Sequence, residues 1–541
     1  MKYHYLFTAC VTVIFLTACN SQPGSQTLSD SIPKNALQAD TSIAGNFTAG
    51  SGIKFDSSNI ATFLKSHSLF KQFSDELSKF YQTNKYNYVW YDKSGLTEFS
   101  NQLVSKITTL DQQGVNSSIP YNDEFLRLVD YNSSDNKENH ESPDINTELM
   151  LTAQYFNYAK KVSVGDLNNK AESINWYLPR KKVSYADLLE QDMSKGSLTI
   201  NAGPIVTQQY EGLQKALAQY RELEKNDQFK TISSLSKPSV LKLNDTNSVV
   251  ASIKKQLYFL GYAKQTDSTN IFNAALADAV NNFKLTHGLK GDSLITNSMI
   301  KQLNVPVRKR IEQIIVNMER LRWIRADSAS NEFILVNIPA FALYYYEDKK
   351  VAWECNVVVG KPMNKTVIFS GQMKYVVFSP YWNVPPSIIN KEIKPGMRRD
   401  PKYLAKHNME WNGGHVRQKP GPRNSLGLVK FLFPNSNNIY LHDSPSKSLF
   451  NEDVRAFSHG CIRVSKPKDL AIRVLRQDSS WTSGKIDVAM HAGIEKYVTL
   501  KNKIPVYIGY FTCFIDKNGN LNFRDDIYRR DDRLLDMLMQ D

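Results

Sequence analysis

The stretch from Ile439 to Val464 reads IYLHDSPSKSLFNEDVRAFSHGCIRV, and the rest of the chain is organised around it. Its core is a serine-histidine-glycine-cysteine run that ends at Cys461, and His442 lies about twenty residues upstream. A thiol needs a base to become a nucleophile at neutral pH, and imidazole is the usual base. Gly460 lets the backbone turn sharply before the cysteine and leaves room for a substrate. The pattern therefore predicts a cysteine nucleophile served by a histidine base.

The neighbours of Cys461 extend this predicted site. Backbone N–H groups around Gly460 and Cys461 can form an oxyanion hole, and Arg463 supplies a fixed positive charge that favours a thiolate and can hold a carboxylate. Two other interpretations stay open. Cys461 could be a buried, inert thiol. His442, His459 and Cys461 could instead bind zinc, since three such ligands plus water make a catalytic zinc site, although no paired Cys-x-x-Cys or His-x-x-x-His spacing supports this.

This constellation resembles the active-site signature of the L,D-transpeptidases, the YkuD-type cysteine enzymes of cell-wall synthesis, in which a histidine precedes a Ser/Thr-His-Gly-Cys core. The resemblance implies that Cys461 is the nucleophile and His442 the base, without a metal or an organic cofactor. The run 379–386, SPYWNVPP, also resembles that family. The remaining site residues expected from the resemblance are Ser458, His459 and Gly460 as oxyanion or loop support, and Tyr440, Arg463, Trp382 and Asn383 as substrate-binding residues.

Composition limits the class of partner. The chain has 541 residues, a formal net charge of +14 and 41% hydrophobic residues, which is ordinary for a globular protein with room for about three domains. A basic balance suits an anionic partner, whether nucleic acid, acidic lipid or an acidic wall polymer. No nucleic-acid motif is evident, so we expect no nucleic-acid partner.

The N-terminus reads as an export signal. Lys2 precedes a short apolar run from Tyr5 to Leu16, which is too short to span a bilayer and fits the apolar core of a signal peptide. The Leu-Thr-Ala-Cys run ending at Cys19 resembles the lipobox of bacterial lipoproteins, which implies a signal peptide over 1–19 and a lipid anchor on Cys19. Plain cleavage by signal peptidase is the alternative. Both place the mature chain outside the cytoplasm, in the cell envelope or periplasm.

The chain before the catalytic region divides into several segments. Residues 20–58 are rich in small polar residues and predict a flexible tether. Helical periodicity dominates 59–243, with a polar loop from Asp130 to Asp144, and this segment resembles the scaffold domain of the large L,D-transpeptidases. Residues 244–306 read as three helices and resemble the three-helix peptidoglycan-binding module, although a purely structural module is the alternative. Residues 307–330 predict a linking helix.

The strand pattern begins near Phe333 and defines a catalytic domain over 331–541. A basic, helical and loop-like insertion follows at 388–426. The resemblance to the large L,D-transpeptidases implies that it caps the active-site cleft, where its cations would attract the carboxylates of peptide stems; a solvated basic surface is the alternative. One strand is predicted over Val506 to Ile515, where Cys513 lies, and a hairpin turn at Asn518-Gly519. Cys513 and Cys355 are expected to be two buried thiols, with a disulfide between them as the alternative, since their spacing does not settle the pairing. The predicted fold class is therefore multidomain α+β: a helical scaffold domain, a three-helix peptidoglycan-binding-like module and a β-rich catalytic domain with a cap insertion.

The function implied by the resemblance is a peptidoglycan L,D-transpeptidase that acts through a cysteine thioester. Its partners would be a tetrapeptide stem as donor and the side-chain amine of a diamino acid as acceptor, joined in a 3→3 cross-link with release of D-Ala. The alternatives are an L,D-carboxypeptidase, attachment of a protein to the wall by the same acyl-enzyme, and a non-catalytic wall-binding lipoprotein. The sequence does not determine the oligomeric state.

Overall fold

The computed structural model describes residues 52–92, 95–116, 118–133, 143–180, 182–198, 204–225, 229–324 and 331–539. The predicted signal peptide, the lipidation site Cys19 and most of the predicted tether lie outside the described residues. In the part of the chain that the structure describes, no helix is both long and apolar enough to cross a bilayer.

The N-terminal domain is helical, as its periodicity predicts, and has its own apolar core built from residues between Ile60 and Leu189. Its elements are α1 Ser58–Ser66, α2 Ser74–Thr83, β1 Tyr91–Asp92, β2 Gly95–Leu96, α3 Glu98–Thr108, α4 Asn122–Ser133, α5 Ile145–Ala159, β3 Trp176–Tyr177, α6 Tyr185–Lys195 and α7 Pro204–Lys225. Helix α4 continues to Ser133, so the predicted loop from Asp130 starts too early. The run Asp130-Tyr131-Asn132-Ser133 is polar and lacks a helix stop signal such as Gly or Pro, which is why its composition misled the prediction.

The next module has a separate small core that runs from Ile232 to Leu303. Its elements are β4 Val240–Leu241, α8 Val249–Phe259, α9 Ala274–Thr286, β5 Ile295–Thr296 and α10 Asn297–Leu303. Helix α8 ends before Gly261, whose φ of 81° lies in the left-handed region that favours glycine at a helix end. The linking helix follows as α11, Val307–Trp323.

The catalytic domain is built on one large sheet. Its elements up to the insertion are β6 Glu332–Asn337, β7 Ala342–Glu347, β8 Lys350–Gly360 and β9 Ile368–Phe378. We give the name cap to residues 382–426, that is, the predicted insertion at 388–426 together with the residues just before it. The cap contains β10 Trp382–Asn383, α12 Pro386–Ile388, α13 Lys394–Arg399, α14 Tyr403–Lys406, β11 Met409–Asn412 and β12 His415–Gln418. The rest comprises β13 Val429–Leu432, β14 Leu441–His442, β15 Ala456–Ser458, β16 Ile462–Val464, α15 Pro467–Val474, α16 Ser483–His491, β17 Lys496–Gly509, β18 Cys513–Ile515, β19 Leu521–Phe523 and α17 Asp531–Met539.

The sheet closes on itself, because its strand order β13-β14-β16-β8-β7-β6-β17-β9 is completed by pairing of β13 with β9. The long strand β17 lies between β6 and β9 and is therefore central. The prediction of one strand from Val506 to Ile515 is wrong, since β17 ends at Gly509 and β18 starts a separate hairpin with β19. The predicted turn of that hairpin is confirmed, with Gly519 at a φ of 83°.

The helical domain and the catalytic domain share part of their core. Strand β3 extends the catalytic sheet by pairing with β9, and Trp176 of this strand packs edge-to-face against Trp323 at the end of α11. Helix α7 and helix α11 contribute buried side chains to the same cluster as the sheet. The observed architecture confirms the predicted α+β fold with a helical N-terminal region and a β-rich C-terminal domain.

Candidate functional site

The register of two short strands brings the predicted nucleophile and base to one face of the sheet. Strands β14 and β16 pair in parallel, with Leu441 opposite Ile462 and His442 opposite Arg463. The Ile462 N–H donates to the carbonyl of Tyr440 at 3.2 Å, which extends this register by one residue. Because side chains alternate along a strand, Tyr440 and His442 share a face with Cys461 and Arg463.

The base His442 is buried, with 4% of its surface exposed, and a backbone carbonyl orients it. Its Nδ1 lies 2.5 Å from the carbonyl oxygen of the next residue, Asp443. The Asp443 carboxylate turns away and accepts hydrogen bonds from the amides of Leu428 and Ser444, at 2.9 and 2.7 Å, and from the Lys447 amine. An imidazole whose Nδ1–H is held by a carbonyl presents Nε2 as its acceptor nitrogen.

Burial keeps His442 neutral. Desolvation, followed by the charge of Arg463 and more weakly that of Lys430, lowers the pKa of His442 to about 3, although the carbonyls of Asp443 and Leu426 act in the opposite direction. Lys430 lies opposite His442 on the neighbouring strand β13, so two cations flank the imidazole across three strands. A neutral imidazole at physiological pH can accept a proton, as a general base must.

Cys461 is partly exposed and rests as a thiol. Its Sγ lies 3.7 Å from the carbonyl oxygen of Asn438, a residue with a φ of 52°. Burial raises the pKa of the Cys461 thiol, while hydrogen bonds from Tyr440 and the charge of Arg463 lower it in part. Because burial raises the pKa of this thiol and keeps the His442 imidazole neutral, the two groups do not form a thiolate–imidazolium ion pair in this structure.

The loop before Cys461 is held by its own side chains. The Ser458 hydroxyl donates to the Cys461 carbonyl at 2.5 Å and accepts from the Gly460 N–H at 3.0 Å. The Gly460 amide, which the sequence predicted as an oxyanion donor, is thus already used within the loop. The Cys461 N–H has no acceptor among the described residues, so it is the amide that remains for an oxyanion. Gly460 has a φ of 124°, which a residue with a side chain rarely adopts.

Behind the loop lies a buried network that the sequence analysis missed. The Thr366 hydroxyl donates to the Gly460 carbonyl at 2.9 Å and accepts from the Gly360 N–H at 2.9 Å. The Tyr528 hydroxyl donates to the Gly360 carbonyl at 2.6 Å and accepts from the Thr366 N–H at 3.2 Å. The run 523–528, FRDDIY, resembles the large L,D-transpeptidases and was the available signal for Tyr528. The sequence carried no such signal for Thr366.

His459 turns away from Cys461 toward the cap. Its Nε2 lies 3.0 Å from the Glu392 carboxylate, and both side chains are about half exposed. Among the described residues no group of three or more His, Cys, Asp or Glu side chains could hold a metal ion. The contact with Glu392 joins the nucleophile loop to the insertion.

The predicted substrate-binding residues lie in two places. Tyr440 and Arg463 lie beside Cys461, and the Arg463 guanidinium forms no ion pair with a described acidic side chain. Trp382 and Asn383 instead form β10, the edge of the small sheet of the cap, where they pair with β12. Trp382 packs against the apolar core of the cap, and Asn383 is exposed. The basic residues in the first part of the predicted insertion are all exposed: Lys391, Lys394, Arg398, Arg399 and Lys402.

The other two cysteines of the described residues, Cys355 and Cys513, are free and buried, as predicted. Cys355 lies on β8, where burial raises the pKa of its thiol to about 11, and Cys513 lies on β18, where burial also raises the thiol pKa. Both thiols are therefore protonated at physiological pH. Cys461, by contrast, is only partly buried.

Comparison with known proteins identifies two domains. Residues 331–495 match the family model of the L,D-transpeptidase catalytic domain, and residues 75–217 match the model of the scaffold domain. A putative L,D-transpeptidase of Haemophilus influenzae is 32% identical over 269 residues, which cover 45% of this chain and 54% of that protein. The chain thus matches about half the length of this curated relative. The predicted resemblance to the L,D-transpeptidase family is confirmed for the catalytic domain and for the scaffold domain.

Two solved structures are also similar to the chain. The L,D-transpeptidase of Stackebrandtia nassauensis is 12% identical with a TM-score of 0.21, and the match covers 51% of this chain and 98% of that one. The L,D-transpeptidase of Mycobacterium smegmatis is 14% identical with a TM-score of 0.19, and the match covers 33% of this chain and 58% of that one.

Proposed function

We propose that the protein is a peptidoglycan L,D-transpeptidase that forms 3→3 cross-links through a thioester on Cys461. The observation that carries this proposal is the strand register that sets Cys461 beside Tyr440 and His442 beside Arg463 on one face of the sheet, with the imidazole neutral. The family-model match of 331–495 supports the reaction class.

In the proposed first step, the Cys461 sulfur attacks the carbonyl on the C-terminal side of the third residue of a tetrapeptide stem. His442 takes the thiol proton and gives it to the leaving amine of D-Ala. The Cys461 N–H donates to the developing oxyanion, and the neighbouring Arg463 charge stabilises the thiolate as it forms.

In the second step, the side-chain amine of a diamino acid in another stem attacks the thioester carbonyl. His442 accepts a proton from this amine, and the carbon–sulfur bond breaks to restore the thiol. The new amide is the 3→3 cross-link. No metal or organic cofactor takes part in this scheme.

The guanidinium of Arg463 has a second proposed role in binding a stem carboxylate, since it is partly buried without an ion-pair partner among the described residues. The exposed cations of the cap add a longer-range attraction for such stems. We further propose that the protein works in the cell envelope, exported by its N-terminal signal and anchored through Cys19.

The test is product analysis with tetrapeptide-bearing muropeptides. Wild-type protein should yield 3→3 dimers by mass spectrometry, and Cys461→Ala should yield none. Loss of the His442 side chain should lower the rate by roughly 10²–10⁴-fold if it is the base. Dimers that persist with Cys461→Ala would exclude the assigned nucleophile.

The same experiment separates the alternatives. Tripeptide without dimers indicates transfer of the acyl group to water, that is, an L,D-carboxypeptidase. Carbapenem labelling of Cys461, a reaction that the resembled family undergoes, distinguishes any such enzyme from a wall-binding protein with an unreactive cysteine.

A further inference from the structure

A large cavity lies apart from the candidate active site. It has a volume of about 1080 Å³ and is enclosed by the catalytic sheet, the loop after α9 in the three-helix module, and residues from α7 and α11. Neither Cys461 nor His442 lines it. Its volume suits a ligand of substantial size, because small-molecule sites span about 300–1,000 Å³.

One wall of this cavity is a face of the catalytic sheet. The strand register places Phe333 opposite Tyr346, and Leu335 opposite both Tyr344 and Tyr507. The side chains that share this face all line the cavity, and the aromatic ones are half-buried. On the opposite face, neighbouring residues such as Ile334 and Val336 are fully buried in the core. The sheet therefore presents flat aromatic surface to the cavity, to which an amphipathic ring can pack.

Two guanidinium groups line the same cavity without a carboxylate partner. Arg455 donates to the carbonyls of Glu452 and Phe341, at 2.7 and 3.3 Å, and its buried Nε has no acceptor among the described residues. Arg524 donates to the carbonyl of Thr286 at 2.7 Å and to the Asn522 side chain at 3.1 Å. Neither guanidinium forms an ion pair with a described acidic side chain.

The acidic side chains that line the cavity form no ion pair with either arginine, although, against the larger effect of burial, the charge of Asp453 raises the pKa of Arg455 and the charge of Asp516 raises the pKa of Arg524. Glu354 pairs with Lys517 at 2.9 Å. Asp516 accepts from the amides and side chains of its own hairpin, and Asp525 accepts from Gln302 at 2.8 Å. Burial, followed by the charge of Arg524, lowers the pKa of Arg455. Both arginines are half-buried, and neither has a described carboxylate at ion-pair distance, so both are open to the carboxylate of a ligand.

We propose that this cavity binds a carboxylate-bearing saccharide of the wall polymer, with its carboxylate held by Arg455 and Arg524 and its rings against the aromatic wall. The planar fork of arginine matches a carboxylate, and the aromatic side chains supply the complementary apolar surface. This inference rests on the proposed function for the identity of the polymer, but the site is separate from Cys461.

Arg455 lies close in sequence to the nucleophile loop. Its backbone carbonyl accepts from the Val359 N–H at 2.9 Å, and it directly precedes β15, which leads into the nucleophile loop. A glycan held at Arg455 therefore lies at the start of the segment that carries Cys461.

The test uses the full chain with Cys461→Ala as background and measures binding by isothermal titration. The probes are a peptide-free muramic-acid-containing glycan with free carboxylates, the same glycan with its carboxylates amidated, and the free tetrapeptide. The variants are Arg455→Gln, Ala342→Phe, which fills the cavity without changing charge, and Lys503→Gln. Lys503 is exposed and lies outside the cavity, so its variant is a matched charge control.

We expect the acidic glycan to bind, and amidation or Arg455→Gln to weaken it about tenfold or more, as expected for a charge-assisted hydrogen bond. Ala342→Phe should weaken it as well, and Lys503→Gln should leave it unchanged. Thermal unfolding of each variant checks that it folds. If Arg455→Gln fails to fold, Ala342→Phe and the amidated glycan still decide the outcome.

Equal binding of the acidic and amidated glycans, or unchanged binding in Ala342→Phe, would overturn the inference. Tetrapeptide binding that depends on Arg455 would overturn the saccharide assignment in favour of stem carboxylates. Carbapenem acylation of Cys461 in the wild-type chain is measured in parallel. Acylation without cavity binding refutes only this inference, whereas cavity binding without acylation or dimers refutes only the proposed function.

Discussion

Replacing Thr366 with valine should both destabilise the catalytic domain and slow the reaction of Cys461. Thr366 is fully buried, and its hydroxyl joins the Gly360 N–H to the Gly460 carbonyl, each at 2.9 Å. Valine has nearly the same shape as threonine but no hydroxyl. The substitution therefore removes the hydrogen bonds without opening a large cavity.

The expected loss of unfolding free energy follows from two backbone groups, the Gly360 N–H and the Gly460 carbonyl, which lose the Thr366 hydroxyl as their hydrogen-bond partner. Gly360 and Gly460 are both buried, and an unsatisfied buried polar group costs about 1–3 kcal/mol. The expected loss of unfolding free energy is thus about 2–6 kcal/mol for the two groups together. The Gly460 carbonyl belongs to the residue before the nucleophile, so release of this carbonyl also shifts Cys461. A misplacement of about 1 Å can cost about 100-fold in rate.

The assay pairs urea unfolding, followed by circular dichroism, with the rate at which a carbapenem acylates Cys461. Thr366→Ser is the matched control because it keeps the hydroxyl and loses one methyl group, for about 1 kcal/mol. The reasoning fails if Thr366→Val is as stable as Thr366→Ser and is acylated at the same rate.

Three further predictions concern charge. Because burial raises the pKa of Cys461 above its ordinary value of 9.0, its alkylation by iodoacetamide should keep accelerating above about pH 9; a plateau already at neutral pH would contradict this. The pKa of His442 falls from 6.5 to about 3 on folding. Between these two pH values, the His442 imidazole is therefore protonated in the unfolded chain and neutral in the folded chain. His442 should therefore reduce the unfolding free energy by about 1.4 kcal/mol per pH unit as the pH falls from 6.5 toward 3, and urea unfolding of His442→Phe should show a shallower slope; equal slopes would argue for a protonated histidine. Glu392→Gln should change stability by less than about 1 kcal/mol, because its contact with His459 is half exposed, yet accelerate proteolytic cleavage within the cap; unchanged cleavage would mean that this contact does not hold the cap.

Local pattern predicted much of the structure. The linking helix predicted from residue 307, which ends at Trp323, and the strand pattern that begins near Phe333 follow from side-chain periodicity, which depends only on nearby residues. The polar run after Asp130 misled the prediction because polar residues also continue a helix. The boundary between β17 and β18 was missed because a β-rich run does not reveal where the chain leaves a sheet.

The limits of the domains also depend on contacts that local sequence pattern does not predict. Strand β3 joins the catalytic sheet from the helical region, and β17 lies in the middle of that sheet although the family-model match ends at residue 495. Pairing between distant strands depends on which surfaces meet in three dimensions. No single-sequence pattern carries that information.

For the candidate site, the sequence by itself determined the chemistry: a thiol after a glycine, an imidazole upstream, and an arginine two residues beyond the thiol. These identities are local, since a nucleophile, a base and a tight turn each require a particular side chain. Only the tertiary structure decided that His442 is neutral, that Ser458 occupies the Gly460 amide, that Thr366 and Tyr528 support the loop, and that Arg455 and Arg524 share a cavity. Burial, strand register and the meeting of separate segments set these properties, and all three arise from contacts between residues far apart in the chain.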